Sequence, residues 1–132
     1  LLAFAQDIIM DRWIDRQQLA NNTALDAELA LEVLEIFKGQ VETWGQMLDA
    51  NDAPERWADA AHTIKGAALG IGAGPLAEAC KAAETAGRAD PPPSKTRAAV
   101  LINDIRDVLY PTLESVARVD HELRVSGFLR LS

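Results

Sequence analysis

One stretch of this sequence, Ala61-His62-Thr63-Ile64-Lys65-Gly66-Ala67-Ala68, sets a nucleophile and a cation one helical turn apart. A neutral imidazole is a competent nucleophile near neutral pH. The apolar residues Trp57, Ala61, Ile64, Ala68 and Ile71 recur at helical spacing and mark the core direction. On a wheel of about 100° per residue, His62 then lies roughly 140° from the core, Lys65 about 80° and Gly66 about 180°. His62 therefore faces water, and the Lys65 ammonium can meet any group attached to the ring. Gly66 and Gly70 follow on nearly the same face. Helical side chains lean back over the preceding turn, so any larger residue at 66 is expected to lie over the His62 ring. Two interior glycines cost about 2 kcal/mol relative to alanine, a sizeable part of a typical net stability of about 5–15 kcal/mol. Helix packing does not explain Gly66, which points away from the core. The pattern reads as a histidine kept sterically open. A phosphoryl group on its ring would carry close to two negative charges, which Lys65 can partly offset. The helix offers no second histidine, serine-based triad or carboxylate pair. A nucleophile and a counter-charge without a pocket fit a group carrier whose reaction partner brings the rest of the active site.

The elements that position these residues are helices. Alanine and leucine dominate, aromatics make up 5% of the chain, and no segment alternates like a half-buried strand. A first helix is predicted from about Leu2 to Leu19, with Phe4, Ile8, Ile9, Trp13 and Ile14 loosely at helical spacing and Asn21-Asn22 after it. The second begins near Thr23 to Asp26, carries the stripe Ala30, Leu34, Phe37, Val41, Trp44 and Leu48, and stops near Ala50. The third, with the histidine, opens at Pro54 and ends at the Gly70–Gly74 segment; the fourth opens at Pro75 and ends near Gly87. Ser94 caps a fifth, with Leu101, Ile105, Val108 and Leu109 inward, and Pro111 should kink or split it before it continues to about Val125. The fold expected is all-α: an antiparallel four-helix bundle with a short additional N-terminal helix, as a single domain over residues 1–132.

Charge and cysteine content narrow the function further. Thirteen Lys and Arg against twenty Asp and Glu give a net charge of −7, which argues against nucleic acid and anionic membrane as partners. No apolar run approaches the ~18 residues of a membrane helix. The apolar Leu1–Met10 segment lacks a basic leader and reads poorly as a signal peptide. A lone cysteine, Cys80, excludes an internal disulfide and a cysteine-rich zinc site. A soluble, cytoplasmic protein is expected.

The His62 segment resembles the signature of the histidine-containing phosphotransfer (HPt) domains of two-component phosphorelays, A-H-x-[LI]-K-G followed by small residues and a glycine. The similarity takes in Ile71-Gly72-Ala73, Leu76, Cys80 and Glu84, extends upstream to Ile14-Asp15 and Leu34–Phe37, and covers about residues 14–88, leaving a C-terminal helix over about 94–125. The resemblance implies that His62 accepts a phosphoryl group from an aspartyl phosphate on a receiver domain and passes it to another receiver. It implies Lys65 as the phosphate-facing cation, Gly66 as the opening for the receiver, and Glu84 as the partner of the other imidazole nitrogen. Lys81 and Arg88 become weaker candidates for supporting the phosphate, and exposed Leu69, with Gly70, a docking contact. Two departures stand out: Ala67-Ala68 replaces a serine-containing pair common in the family, and Ala83 a frequent leucine. Receiver domains or a hybrid sensor kinase are the implied partners. No cofactor is expected on this chain, Mg²⁺ belonging to the receiver. Lacking ATP-binding and autokinase motifs, the chain reads as a carrier and not as an enzyme.

Other residues read as structural. Cys80, Trp44 and Trp57 fall on core stripes, and His121 reads as a solvated tail residue. A metal site would need a second close ligand, and His121 lies in a distant segment. The competing function is a helical interaction module that binds or sequesters a response regulator without chemistry. The chain is expected to be a monomer, although the apolar Leu1–Ile14 segment is a candidate for dimerisation.

Overall fold

Asp15, Asp26 and Ser94 each turn a side-chain oxygen onto free amides at a helix start, and Pro54 opens another helix where its missing N–H is harmless. The computed structural model describes residues 11–128, and these signals delimit five helices among them. They are α1 (Arg16–Asn22), α2 (Ala27–Gly45), α3 (Pro54–Gly70), α4 (Gly74–Gly87) and α5 (Lys95–Ser126). Helix α3 packs against α2 and α4, and α5 closes the ring against α4 and α2. This is the four-helix bundle with a short preceding helix that the hydrophobic spacing predicts.

The predicted stripes are the core. Trp57, Ala61, Ile64, Ala68 and Ile71 are fully buried, and Ala30, Leu34, Phe37, Val41, Leu76, Cys80, Ala83, Leu101 and Ile105 join them. Trp44 and Val108 are half-buried against it. At Gly87 a β-carbon would lie 2.8 Å from both the Ala58 Cβ and Trp57 Cζ3, so α4 approaches α3 more closely there than any side chain allows. Gly87 is thus a packing residue as well as a helix end.

Three boundaries differ from expectation. The predicted helix from Leu2 does not run through residues 11–15; Leu2–Met10, and most of the proposed dimerisation segment, lie outside the described residues. The Asp11 carboxylate takes the amide of Trp13 at 2.8 Å and that of Ile14 at 3.3 Å, and the helix starts only after Asp15. Arg16, buried, bonds Asp11 Oδ2 at 2.9 Å and grips both oxygens of Glu122 on α5 at 2.8 and 2.9 Å; the Ser115 hydroxyl donates to Asp11 as well. Burial opposes ionisation of Asp11, but the Ser115 hydroxyl, the Trp13 amide and the Arg16 guanidinium together hold its carboxyl below the usual range. This buried clasp fastens the chain before α1 to the far part of α5.

Helix α2 ends at Gly45, not near Ala50. The amides of Met47 and Leu48 reach back only three residues, to Trp44 and Gly45, tightening the chain while Leu48 stays in the core. Arg106 on α5 donates to the Leu48 carbonyl at 2.7 Å. Pro111 does not split α5, which is one element of 32 residues. Leu109 on one side, and Val116, Val119 and Leu123 on the other, enter the same core and carry the helix through the lost hydrogen bond.

Between α3 and α4 the chain turns at Gly72, with φ +77° and a notional β-carbon only 2.6 Å from the Asp15 carbonyl oxygen. The Asp15 amide donates to the Gly72 carbonyl at 2.8 Å. That turn sets α4 antiparallel beside the histidine helix, and so places the site.

Candidate functional site

The core stripe of α3 leaves His62 on the outside of the bundle, its side chain 61% exposed. Lys65, one turn on, is half-buried at the seam between α3 and α4. From α4, the stripe Leu76, Cys80 and Ala83 turns inward, so Glu84 emerges at that same seam, 14% exposed.

Glu84 is the hub. Its Oε2 lies 2.7 Å from His62 Nδ1, and its Oε1 takes the Lys65 ammonium at 2.6 Å. Arg88, the C-cap residue just past α4, donates to Oε2 at 3.3 Å and to Asp59 Oδ1 on α3 at 2.9 Å. The bond from Lys65, with those from His62 and Arg88, outweighs the penalty of burial and draws the Glu84 carboxyl down to about 2. It is ionised at neutral pH and can only accept. The proton between it and His62 therefore sits on Nδ1. In the neutral ring this leaves the Nε2 lone pair free, on the side away from Glu84.

Gly66 and Gly70 border the ring on open space. A β-carbon at either position would have no neighbour within 4 Å. This corrects the expectation that any larger residue at 66 covers the His62 ring: the β-carbon of an alanine touches nothing, and only a longer side chain would obstruct. Leu69 is 51% exposed nearby. Asn22 of α1 donates to the carbonyls of Leu69 at 3.4 Å and Gly70 at 3.1 Å, satisfying the end of α3.

The structure brings together His62, Lys65, Glu84 and Arg88, with Gly66, Leu69 and Gly70 on the surface alongside. Lys81 is exposed and forms no ion pair among the described residues. Cys80 is buried beneath the cluster, and burial pushes its thiol up to about 12, so it stays protonated as a packing residue. His121 lies exposed on α5, and among the described residues no three His, Cys, Asp or Glu side chains are grouped to hold a metal ion. Two participants escape sequence reasoning. Asp59 stands three residues before His62, a legible spacing, but its bond crosses to α4; Asn22 acts from a helix whose position the sequence leaves open.

Such an arrangement can present one imidazole nitrogen to an electrophile while a carboxylate fixes the other. The family model described as the Hpt domain matches residues 28–110. Among solved structures, histidine phosphotransferase ShpA from Caulobacter crescentus is 31% identical, with a TM-score of 0.66, over 85% of this chain and 94% of that chain. No curated protein matches. No helix among the described residues is long and apolar enough to cross a membrane.

Proposed function

The chain belongs to the Hpt domain family, and from that premise we propose that it is a phosphorelay intermediate carrying the phosphoryl group on Nε2 of His62. The observation that carries this reading is the bond between His62 Nδ1 and the ionised Glu84, which frees Nε2 on an exposed ring. The Nε2 lone pair attacks the phosphorus of an aspartyl phosphate on a receiver domain. The bond from phosphorus to the aspartyl oxygen breaks, and the aspartate leaves as a carboxylate. The Nδ1 proton stays where it is, held by Glu84. A second receiver's aspartate reverses the step and restores the neutral ring. Transfer of this kind is dominated by alignment and charge neutralisation. Lys65, resting on Glu84, supplies the cation on this chain, and Mg²⁺ comes with the receiver. Leu69, Gly66 and Gly70 offer the open surface on which the receiver docks. The chain then works in the cytoplasm as a monomeric carrier between receivers, without ATP chemistry of its own.

Transfer from a panel of receiver domains, loaded with acetyl phosphate and Mg²⁺, tests this. Label is expected on the native chain and absent from a folded His62→Gln variant, acid-labile and base-stable as a phosphoramidate is. Label on His62→Gln would overturn the assignment. Tight binding to a receiver with no label would favour the sequestering module.

A further inference from the structure

Glu84 Oε2 serves two donors at once, His62 Nδ1 at 2.7 Å and Arg88 Nε at 3.3 Å. Arg88 is itself divided. Its other arm reaches Asp59 at 2.9 Å, the closer of its two contacts. Asp59 stands three residues before His62 on α3, so one guanidinium bridges the two helices that make the site. Two donors on a single oxygen compete for its charge. The further Arg88 moves onto Oε2, the weaker that oxygen's hold on the His62 proton; the further Asp59 draws it off, the stronger.

We infer that Asp59 and Arg88 are a pair of positioning residues that set, through Glu84, how firmly the His62 ring is held and how readily it takes a second proton. The purpose of the setting rests on the phosphotransfer reading; the geometry does not. Too strong a hold makes the ring basic and fills Nε2 with a proton, which ends its nucleophilicity. Too weak a hold loses the Nδ1–H tautomer, and the lone pair no longer sits on the free side. A carboxylate shared with a tethered arginine lies between these limits.

Among the described residues, few other charges bond to the groups of this cluster. Lys65 from α3 occupies the opposite oxygen, Oε1. Lys81 on α4 is exposed and the Cys80 thiol below is protonated. From α1 comes Asn22, which is neutral and bound to carbonyls. Among the described residues no charged side chain of α1, α2 or α5 forms an ion pair with Asp59, His62, Lys65, Glu84 or Arg88.

The two members of the pair carry opposite charge, and that gives a test of sign. The imidazole signals of the free protein are followed by NMR across pH, with His121, the second of two histidines, as internal reference. Arg88→Gln removes a cation within about 6 Å of Nδ1 and leaves Oε2 to the ring alone, so the signals should report a ring protonated to a higher pH than in the native chain. Asp59→Asn removes an anion and releases Arg88 onto Oε2, so the change should have the opposite sign. Arg88→Lys, keeping the charge, should recover most of the native value. Both residues are well exposed, so the fold should survive either change. A merely structural role would move both variants the same way, because each breaks the same ion pair. Shifts of the same sign, or none, would overturn the proposal. No receiver enters this titration, so its failure is distinct from failure of the phosphotransfer reading, which shows as absence of label on the native chain.

Discussion

Lys65 and His62, three residues apart on α3, bond opposite oxygens of one carboxylate on α4, at 2.6 and 2.7 Å from Glu84. A single side chain thus orients the nucleophile and stores the cation.

The same contacts make the site a source of acid sensitivity. The bond from Lys65 above all holds the Glu84 carboxyl at about 2 in the folded chain, against 4.5 for the free group. A carboxyl depressed by folding contributes stability that is fully present above its unfolded value and is lost as pH falls toward the folded one. Relative to Glu84→Gln, the native chain should lose its advantage in urea midpoint progressively as pH falls from 4.5 to about 2. An advantage unchanged across that window would show that Glu84 gains nothing from its partners.

Gly66 separates stability from access. Nothing lies within 4 Å of a β-carbon built there, so Gly66→Ala should raise stability by about 1 kcal/mol from helix propensity alone. Its acceptance of a phosphoryl group should stay near the native rate. Gly66→Leu should remain as helical as the native chain yet accept phosphoryl groups at least tenfold more slowly, since about 1.4 kcal/mol of obstruction in the docked state suffices for that. Thermal melts and transfer rates on the same preparations check both. A leucine variant with the native transfer rate would show that the receiver does not cross this face.

Gly87 behaves in the opposite way. Its β-carbon would meet Trp57 and Ala58 at 2.8 Å, inside a packed interface, so Gly87→Ala should lower stability by about 1–3 kcal/mol despite the better helix former. Chemical denaturation measures this directly. A variant as stable as the native chain would mean that α4 can move off α3 without loss.

The sequence shows most clearly what depends on one helix at a time. The α3 stripe, the caps at Asp26 and Ser94 and the proline start at Pro54 follow from local spacing, and burial of Trp57 and Ile64 agrees with them. His62 is legible as exposed for the same reason. Lys65 is not: at the edge of the wheel its flexible chain can reach water or the seam, and only the position of Glu84 across the interface decides. The Asp59–Arg88 pair is hidden in the same way. The non-helical path of residues 11–15 depends on the still more distant Ser115 and Glu122, so apolar spacing around Ile14 misleads. Pro111 misleads because a local rule meets a core that holds both of its sides.

The His62 cluster and the Arg16 clasp differ in reach along the chain. The widest link in the His62 cluster, from Arg88 to Asp59, spans 29 residues, whereas the clasp from Arg16 to Glu122 spans 106. Closing a short segment loses less chain entropy than closing a long one, and local pairings form sooner. The cluster around the reactive histidine thus lies within the α3–α4 hairpin and its C-cap, Arg88, and is expected to assemble before the clasp. The site should take shape as the hairpin closes, and the clasp between the segment before α1 and the far part of α5 should form after it.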